Sequence, residues 1–304
     1  MKFVPAGLGL VLFCAGVAAA AERSSDQFQI DSNVVLINAT VLDGHNRPVR
    51  GLTREQFRLY DEKAEQRIAY FSEEEVPLSL AVIFDISGSM DHKMAGMRAA
   101  VDAVLQDAGA QDEFSLITFA DRPQVAVGWS PDPGDVQNRL LLESAHGETS
   151  LLDALATGLS YMKKARNIRR AMLIFSDGGD NHSRFTERHL MLSLAEAGVQ
   201  IYAVDSAEQL VLRTRSPEEI AGPDLLERLC DLAGGRYFRV DGRRELDAAA
   251  GQISRELRSQ YLIGYVPSGP SLDGRFHHVR VEVKRSRGTP KISVFWRRGY
   301  RGQP

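Results

Sequence analysis

The chain has 304 residues, of which 43% are apolar and 25% charged, so it has room for one large folded domain and a smaller one, and global disorder is excluded. Its 37 basic and 40 acidic residues leave a net charge of −3, which gives no electrostatic footprint for nucleic acid or for an anionic membrane surface.

Residues 1–21 read as a secretory signal peptide. Lys2 supplies the positive start, Val4 to Val17 the apolar stretch, and Ala18 to Ala21 the small residues that suit cleavage. A membrane anchor is the alternative, but the stretch is short, ends in weakly apolar alanines and runs into Glu22 instead of a basic stop. Cys14 follows Phe13, where lipidation would need a small residue. With the signal removed, Cys230 is the only thiol, so no intramolecular disulfide is expected. The protein is read as exported, periplasmic or extracellular, with no stable membrane insertion after cleavage.

Residues 22–77 form an N-terminal β region. Val35, Ile37, Ala39 and Val41 alternate with Val34, Leu36, Asn38 and Thr40, and Gly44-His45-Asn46 supplies a turn. Thr53 and Gln56 have capping-box spacing and predict a short helical turn. Arg58 to Tyr60 and Arg67 to Phe71 read as further strands. Asn38-Ala39-Thr40 fits a glycosylation sequon but falls within a predicted strand. Glu73-Glu74-Glu75-Val76-Pro77 ends the period-two pattern as a solvated connector.

Over residues 78–258 short apolar strands alternate with amphipathic helices, which predicts an α/β fold: a doubly wound, mostly parallel sheet covered on both faces. The predicted strands are Leu80 to Asp85, Phe114 to Phe119, Gln124 to Val127, Ala171 to Ser176, Gln200 to Val204 and Arg236 to Val240. Met94, Met97, Val101, Val104, Leu105 and Ala108 form a helical stripe after the first strand. Leu151 to Met162 and Leu190 to Ala197 give two more. Cys230 sits among Leu225, Leu226, Leu229 and Leu232 at helical spacing and reads as a buried, inert thiol.

Residues 259–304 return to period two, with strands at Tyr261 to Val266, His278 to Val283 and Ile292 to Trp296 and a loop at Pro267 to Gly274. Neither strand-rich flank has enough strands to bury a core alone, so the two are expected to pair into one smaller β-sandwich from which the α/β domain emerges. The basic residues Lys284, Arg287, Lys291, Arg297, Arg298 and Arg301 alternate with apolar ones and read as a solvated sheet face, with Trp296 and Tyr300 as packing.

The chemistry lies where strands of the α/β region end. Asp85-Ile86-Ser87-Gly88-Ser89 follows the first strand directly, and ligand sites in open α/β sheets lie beyond the carboxyl ends of strands. Alone this pattern carries little information. Gly147-Glu148-Thr149-Ser150 leads into a helix, and Ser176-Asp177-Gly178-Gly179-Asp180 ends another buried strand. These segments would meet at one sheet edge if the strands ending in Asp85 and Asp177 are neighbours.

In these three segments the sequence resembles the von Willebrand factor A family, whose metal-ion-dependent adhesion site takes an Asp-x-Ser-x-Ser loop, a threonine and an aspartate from three loops. The resemblance implies Asp85, Ser87, Ser89, Thr149 and Asp177 as the metal site. The flanks, with Gly51-Leu52-Thr53 and Ser259-Gln260-Tyr261-Leu262-Ile263-Gly264-Tyr265, resemble a bacterial exported group of VWFA-related proteins. Oxygen ligands without imidazole or thiolate suit a hard cation, Mg²⁺ first, with Mn²⁺ or Ca²⁺ as substitutes. The implied function is cation-dependent binding of a protein partner that presents Asp, Glu or a terminal carboxylate, in adhesion or envelope assembly. The resemblance also implies that the last helix, Glu245 to Leu257, can move on binding, with altered proteolysis around Ser206 to Pro223.

No triad order or nucleophile elbow is present, so the chain is read as a non-enzyme, with His92, His182 and Asp180 at the rim of the site. The alternative is a metal-dependent hydrolase at the same loops, which would need a second metal or an activated water beside a base such as His182. A structural protein with a vestigial site is a third reading.

Overall fold

A computed structural model describes residues 34–73, 76–206, 217–269, 273–284 and 291–302, with the side chains of 217–220 set aside. The signal peptide expected at residues 1–21, Arg287 and most of the segment expected to change its proteolysis, 207–216, lie outside the described residues.

The N-terminal flank supplies β1 (Val35–Asp43), β2 (Phe57–Asp61), β3 (Ala64–Gln66) and β4 (Ile68–Ser72). Before β2, Arg54–Gln56 makes a 3₁₀ turn, and the Thr53 backbone N–H donates to Gln56 Oε1 at 2.8 Å, as the capping-box spacing predicts.

The α/β region follows as β5 (Leu78–Asp85), α1 (Met94–Leu105), β6 (Glu113–Phe119), β7 (Pro123–Ser130), α2 (Pro133–Leu142), α3 (Leu151–Met162), β8 (Arg169–Ser176), α4 (Glu187–Ala197), β9 (Gln200–Asp205), α5 (Pro217–Ala233), β10 (Tyr237–Arg239) and α6 (Arg243–Leu257). Among the described residues the strands form a 6-stranded sheet in the order β10-β9-β8-β5-β6-β7. It is parallel except for β7, which pairs antiparallel to β6. Every residue of β5 is buried, as expected of a central parallel strand covered on both faces. Its side chains alternate between two cores. Leu80, Val82 and Phe84 face the layer of α1, α2 and α6, while Ala81 and Ile83 face the layer of α3, α4 and α5.

The chain leaves β5 toward β6 on one side, and the later strands β8, β9 and β10 build out on the other. The order therefore reverses between β5 and β8, and the crevice beyond their carboxyl ends is where ligands bind in such sheets.

The C-terminal flank adds β11 (Tyr261–Tyr265), β12 (Phe276–Val283), β13 (Ile292–Trp296) and β14 (Gly299–Arg301). Both flanks contribute to each of two 4-stranded sheets, β13-β1-β11-β4 and β14-β12-β2-β3. Ile37, Ala39, Val41, Leu59, Ile263, Val279, Val281 and Tyr300 from these sheets share one core, which is the expected smaller sandwich. Asp61 sits within it and accepts from the hydroxyls of Tyr265 at 3.0 Å and Tyr300 at 2.9 Å, so Tyr300 packs as the sequence reading expects and the polar ends of both phenols are satisfied. Asn38 of the sequon lies inside β1, opposite Leu262 of β11.

The basic tail meets the expectation of a solvated sheet face only in part: Lys284, Lys291 and Arg301 are exposed, but the face is not free of contacts. Arg297 is half-buried against Tyr300, the Arg298 backbone N–H donates to Leu232 O at 2.9 Å, and Arg301 meets Glu196 at 3.3 Å. These arginines face helices α4 and α5 because the sandwich packs its β13–β14 edge on the α/β region; alternation in sequence marks a two-sided sheet but not what covers the second side. A second tie lies at the base of β8, where Arg169 donates to Val76 O at 2.8 Å, to Gln260 Oε1 at 3.0 Å and to Leu257 O. Arg169 is buried, so one side chain holds both connections between the α/β region and the sandwich.

Candidate functional site

The carboxyl ends of β5 and β8 lie side by side, with Ile83 opposite Ile174 and Phe84 opposite Phe175. The condition for the predicted loops to converge is thus met. Asp85 closes β5 and is fully buried; its Oδ1 accepts from the Ser87 backbone N–H at 2.8 Å, which folds the chain back over the strand end. Ser87 Oγ and Ser89 Oγ are 3.1 Å apart, so their hydroxyls are adjacent. A 3₁₀ turn over Gly88–Lys93 then runs into α1, with Met90 buried beneath it as the anchor.

The second loop is fastened to the first by backbone bonds, Gly88 N to Gly147 O at 3.1 Å and His146 N to Ile86 O at 2.8 Å. Gly147 adopts φ +71°, and a Cβ there would stand 2.6 Å from Asp121 Oδ1, the atom that accepts from the Glu148 N–H at 2.7 Å. Glycine is needed at this position on both counts. Thr149 is buried, and its carbonyl accepts from the N–H groups of Asn181 and His182, each at 3.0 Å. Asn181 Oδ1 in turn accepts from the Thr149 N–H at 2.9 Å.

The third loop leaves β8 through Ser176. The Ser176 hydroxyl donates to Asp85 Oδ2 at 2.6 Å and accepts from the Gly178 N–H at 3.1 Å, so one side chain orients the buried carboxylate and the turn that carries Asp177. That turn is pressed from behind by α5: a Cβ on Gly222 would fall 1.6 Å from Gly178 O. Asp177 is 14% exposed, and Lys93 Nζ, from the turn after Ser89, lies 3.2 Å from its Oδ2. Asp180 does more than line the rim; half-buried, it accepts from the Leu152 N–H at 3.3 Å and from Ser183 Oγ at 2.5 Å and so supports the start of α3. His92 and His182 are exposed, as rim residues would be.

The electrostatics follow from burial. Loss of solvent pushes the Asp85 carboxyl up to about 7, and the negative charge of Asp177 adds to the rise, against hydrogen bonds from Ser176 and Ser87 that lower it. Two carboxylates, Asp85 and Asp177, are thus held near one another in a place that disfavours unbalanced negative charge. Among the described residues no group of three or more His, Cys, Asp or Glu is placed to hold a metal, so a cation here would depend on hydroxyls as much as on carboxylates. An all-oxygen set of this kind has the chemistry of a site for a hard divalent cation.

Ser176, Lys93 and Asn181 were not singled out from sequence. Each has a faint positional signal: Ser176 directly precedes Asp177, Lys93 lies four residues after Ser89, and Asn181 four residues after Asp177.

Among proteins of known kind, the von Willebrand factor type A domain family matches residues 80–179, from within β5 to just beyond Asp177. Among solved structures, von Willebrand factor type A from Catenulispora acidiphila is similar with a TM-score of 0.51 at 12% identity, over 90% of this chain and 74% of that one. Proximal thread matrix protein 1 from the mussel byssus has a TM-score of 0.51 at 16% identity, over 65% of this chain and 51% of that one. An aerotolerance-related membrane protein from Bacteroides fragilis is similar over 59% of this chain and 98% of its own, with 16% identity and a TM-score of 0.47. No curated protein sequence matches the chain. No helix among the described residues is long and apolar enough to cross a membrane. The match to the von Willebrand factor type A domain family thus spans the three site loops, and the similarity to solved structures shows the same fold.

Proposed function

We propose that the protein is an exported, cation-dependent protein-binding module that acts in adhesion or in assembly of an envelope complex, in the periplasm or outside the cell. The observation that carries this reading is the fully buried Asp85 carboxylate near Asp177, with the adjacent hydroxyls of Ser87 and Ser89 on the loop that follows it. Asp85, Ser87, Ser89, Thr149 and Asp177 would hold Mg²⁺, with Mn²⁺ or Ca²⁺ able to substitute. When bound, the cation supplies a Lewis-acidic position that an Asp, Glu or terminal carboxylate of the partner completes.

The chain's own residues prepare that position. The Ser176 hydroxyl and the Ser87 N–H fix the two oxygens of Asp85, so that the carboxylate does not have to reorient. The bonds between Gly88 and Gly147 and between Thr149 and Asn181 lock the loops to one another, which lowers the ordering cost of partner binding. Lys93 balances the charge of Asp177. Bond cleavage is not required of any of these groups, and the proposed module is not an enzyme.

Calorimetry tests the reading. Mg²⁺ is expected to bind the wild type saturably and to give no binding heat with Asp85→Ala or Asp177→Ala, both of which keep the wild-type circular dichroism spectrum. Unchanged Mg²⁺ affinity in both variants would rule it out.

A further inference from the structure

Beside the metal loops a cleft of about 400 Å³ opens between the start of α1, the end of β9 and the turn from β10 into α6. It adjoins the site through Lys93. Lys93 lines the cleft and also meets Asp177 Oδ2 at 3.2 Å, while Ser206, on the far wall, has its backbone N–H on Ser176 O at 3.3 Å. A ligand group seated on the site would thus have this opening at its flank.

The two parts of the cleft differ in chemistry. Its floor is apolar, made by Met97, Val240 and Leu246, each buried from bulk solvent, with Gly96 of α1 set against Leu246. Among the described residues its rim carries His92, Lys93, Asp241 and Arg243, with Lys93 shared with Asp177 and Arg243 with Asp247. Gly242, at φ +101°, has no described residue within 4 Å of where a Cβ would stand. A volume of a few hundred Å³ with an apolar floor and a few polar rim groups is typical of a pocket that takes a specific side group. The Arg243 side chain, 63% exposed, can turn from Asp247 to an acidic segment.

Resting on the cation-dependent reading above, we infer that this cleft is the specificity pocket of the metal site and takes an apolar side chain, of the size of leucine or methionine, lying within two positions of the acidic residue of an extended peptide segment. The cation selects for a carboxylate in any sequence. The cleft selects among carboxylates by their neighbour, because burying a leucine-sized side chain against Met97, Val240 and Leu246 removes apolar surface from water. Partners with Asp or Glu beside glycine or serine would leave the cleft unfilled and bind more weakly.

The test is a phage-displayed library of linear peptides selected on the mature full chain in Mg²⁺ and counter-selected in EDTA. Peptides from that selection are then titrated against wild type, Ser206→Phe, which places a ring in the cleft, and Arg243→Glu, which reverses a rim charge. Mg²⁺ affinity is measured in all three. Selected peptides are expected to pair Asp or Glu with Leu, Ile, Met or Phe within two positions. Ser206→Phe is expected to weaken them tenfold or more while leaving Mg²⁺ affinity and the affinity of the same peptide with glycine at the apolar position unchanged. Arg243→Glu, on an exposed helix start, is expected to weaken them at least threefold and serves if the phenylalanine variant does not fold. Intact Mg²⁺ binding with no apolar preference, with no Mg²⁺-dependent peptides at all, or with full affinity in the variants overturns the pocket alone. Absence of Mg²⁺ binding in the wild type overturns the pocket and the function together.

Discussion

Replacing Ser176 with alanine isolates how the cation site is built without touching any of the proposed ligands. The Ser176 hydroxyl donates to Asp85 Oδ2 at 2.6 Å and accepts from the Gly178 N–H at 3.1 Å, and both Ser176 and Asp85 are fully buried. A buried hydrogen bond to a charged group is worth about 1.5–3 kcal/mol, and with every 1.4 kcal/mol a factor of ten the upper limit on lost affinity is about 150-fold. The bond exists before the cation enters as well as after, so only part of that energy is felt in affinity; a loss of about tenfold is expected, near the lower end of what outer-layer substitutions cost metal sites. The freed Gly178 N–H loosens the turn that carries Asp177 and acts in the same direction. Calorimetric titration of Mg²⁺ into wild type and Ser176→Ala at fixed pH and ionic strength reads this directly. An affinity within twofold of wild type would refute the idea that Ser176 orients Asp85 for cation binding.

Gly222→Ala places a methyl 1.6 Å from Gly178 O, a backbone atom that cannot step aside without moving the Asp177 turn. Overpacking of this kind costs about 1–3 kcal/mol, and the variant is expected to lose both melting temperature and Mg²⁺ affinity; a loss of stability with full affinity would show that α5 does not support the site. Arg169→Ala removes the donor shared by Val76 O and Gln260 Oε1 at the junction of the two parts and is expected to destabilise the protein by about 3 kcal/mol in urea unfolding, at 1–3 kcal/mol for each buried acceptor left without a partner. A change under half a kcal/mol would mean that the junction is held elsewhere. Mg²⁺ at a hundred times its dissociation constant stabilises the folded state by about 2.7 kcal/mol, so EDTA should lower the melting temperature by roughly 5–10 °C in wild type and by nothing in Asp85→Ala. Cys230 is 1% exposed, and burial pushes its thiol well above the usual range, so iodoacetamide at pH 8 should label it only after denaturation. Rapid labelling of the native protein would contradict its place in the core.

The α/β layout was legible because a central parallel strand and its covering helices leave strong periodic signals. Leu80 to Asp85 and Ala171 to Ser176 read as buried strands, Met94 to Ala108 as a one-sided helix, and the structure has them as β5, β8 and α1. Helix α2 was missed. It buries only Val136 and Leu140, a single pair one turn apart, and such a pair is too little to raise a helical period; the Asp132 cap with Pro133 behind it was the better signal. The strands β3 and β14 have three residues each, too few for any period to show. The sandwich could be inferred only from an unmet need for partners, because β1 pairs with β11 and β13 more than two hundred residues away and strand patterns do not name their neighbours.

At the site the division is similar. Asp85, Ser87, Ser89, Thr149 and Asp177 stand at strand ends or loop starts that sequence alone can place, and the structure ties their three loops together through Gly88, Gly147 and Asn181. The support was not visible. Ser176 and Lys93 act through contacts with residues 91 and 84 positions away, and neither has a residue type that is unusual for a strand end or a helix start.

Crystals of the protein soaked in Mn²⁺ and measured at the manganese absorption edge test the central claim most directly. The account expects one anomalous peak in the crevice between the ends of β5 and β8, in contact with the hydroxyls of Ser87 and Ser89 and lost in crystals of Asp85→Ala. A peak that lies elsewhere, or none at saturating Mn²⁺, would contradict it.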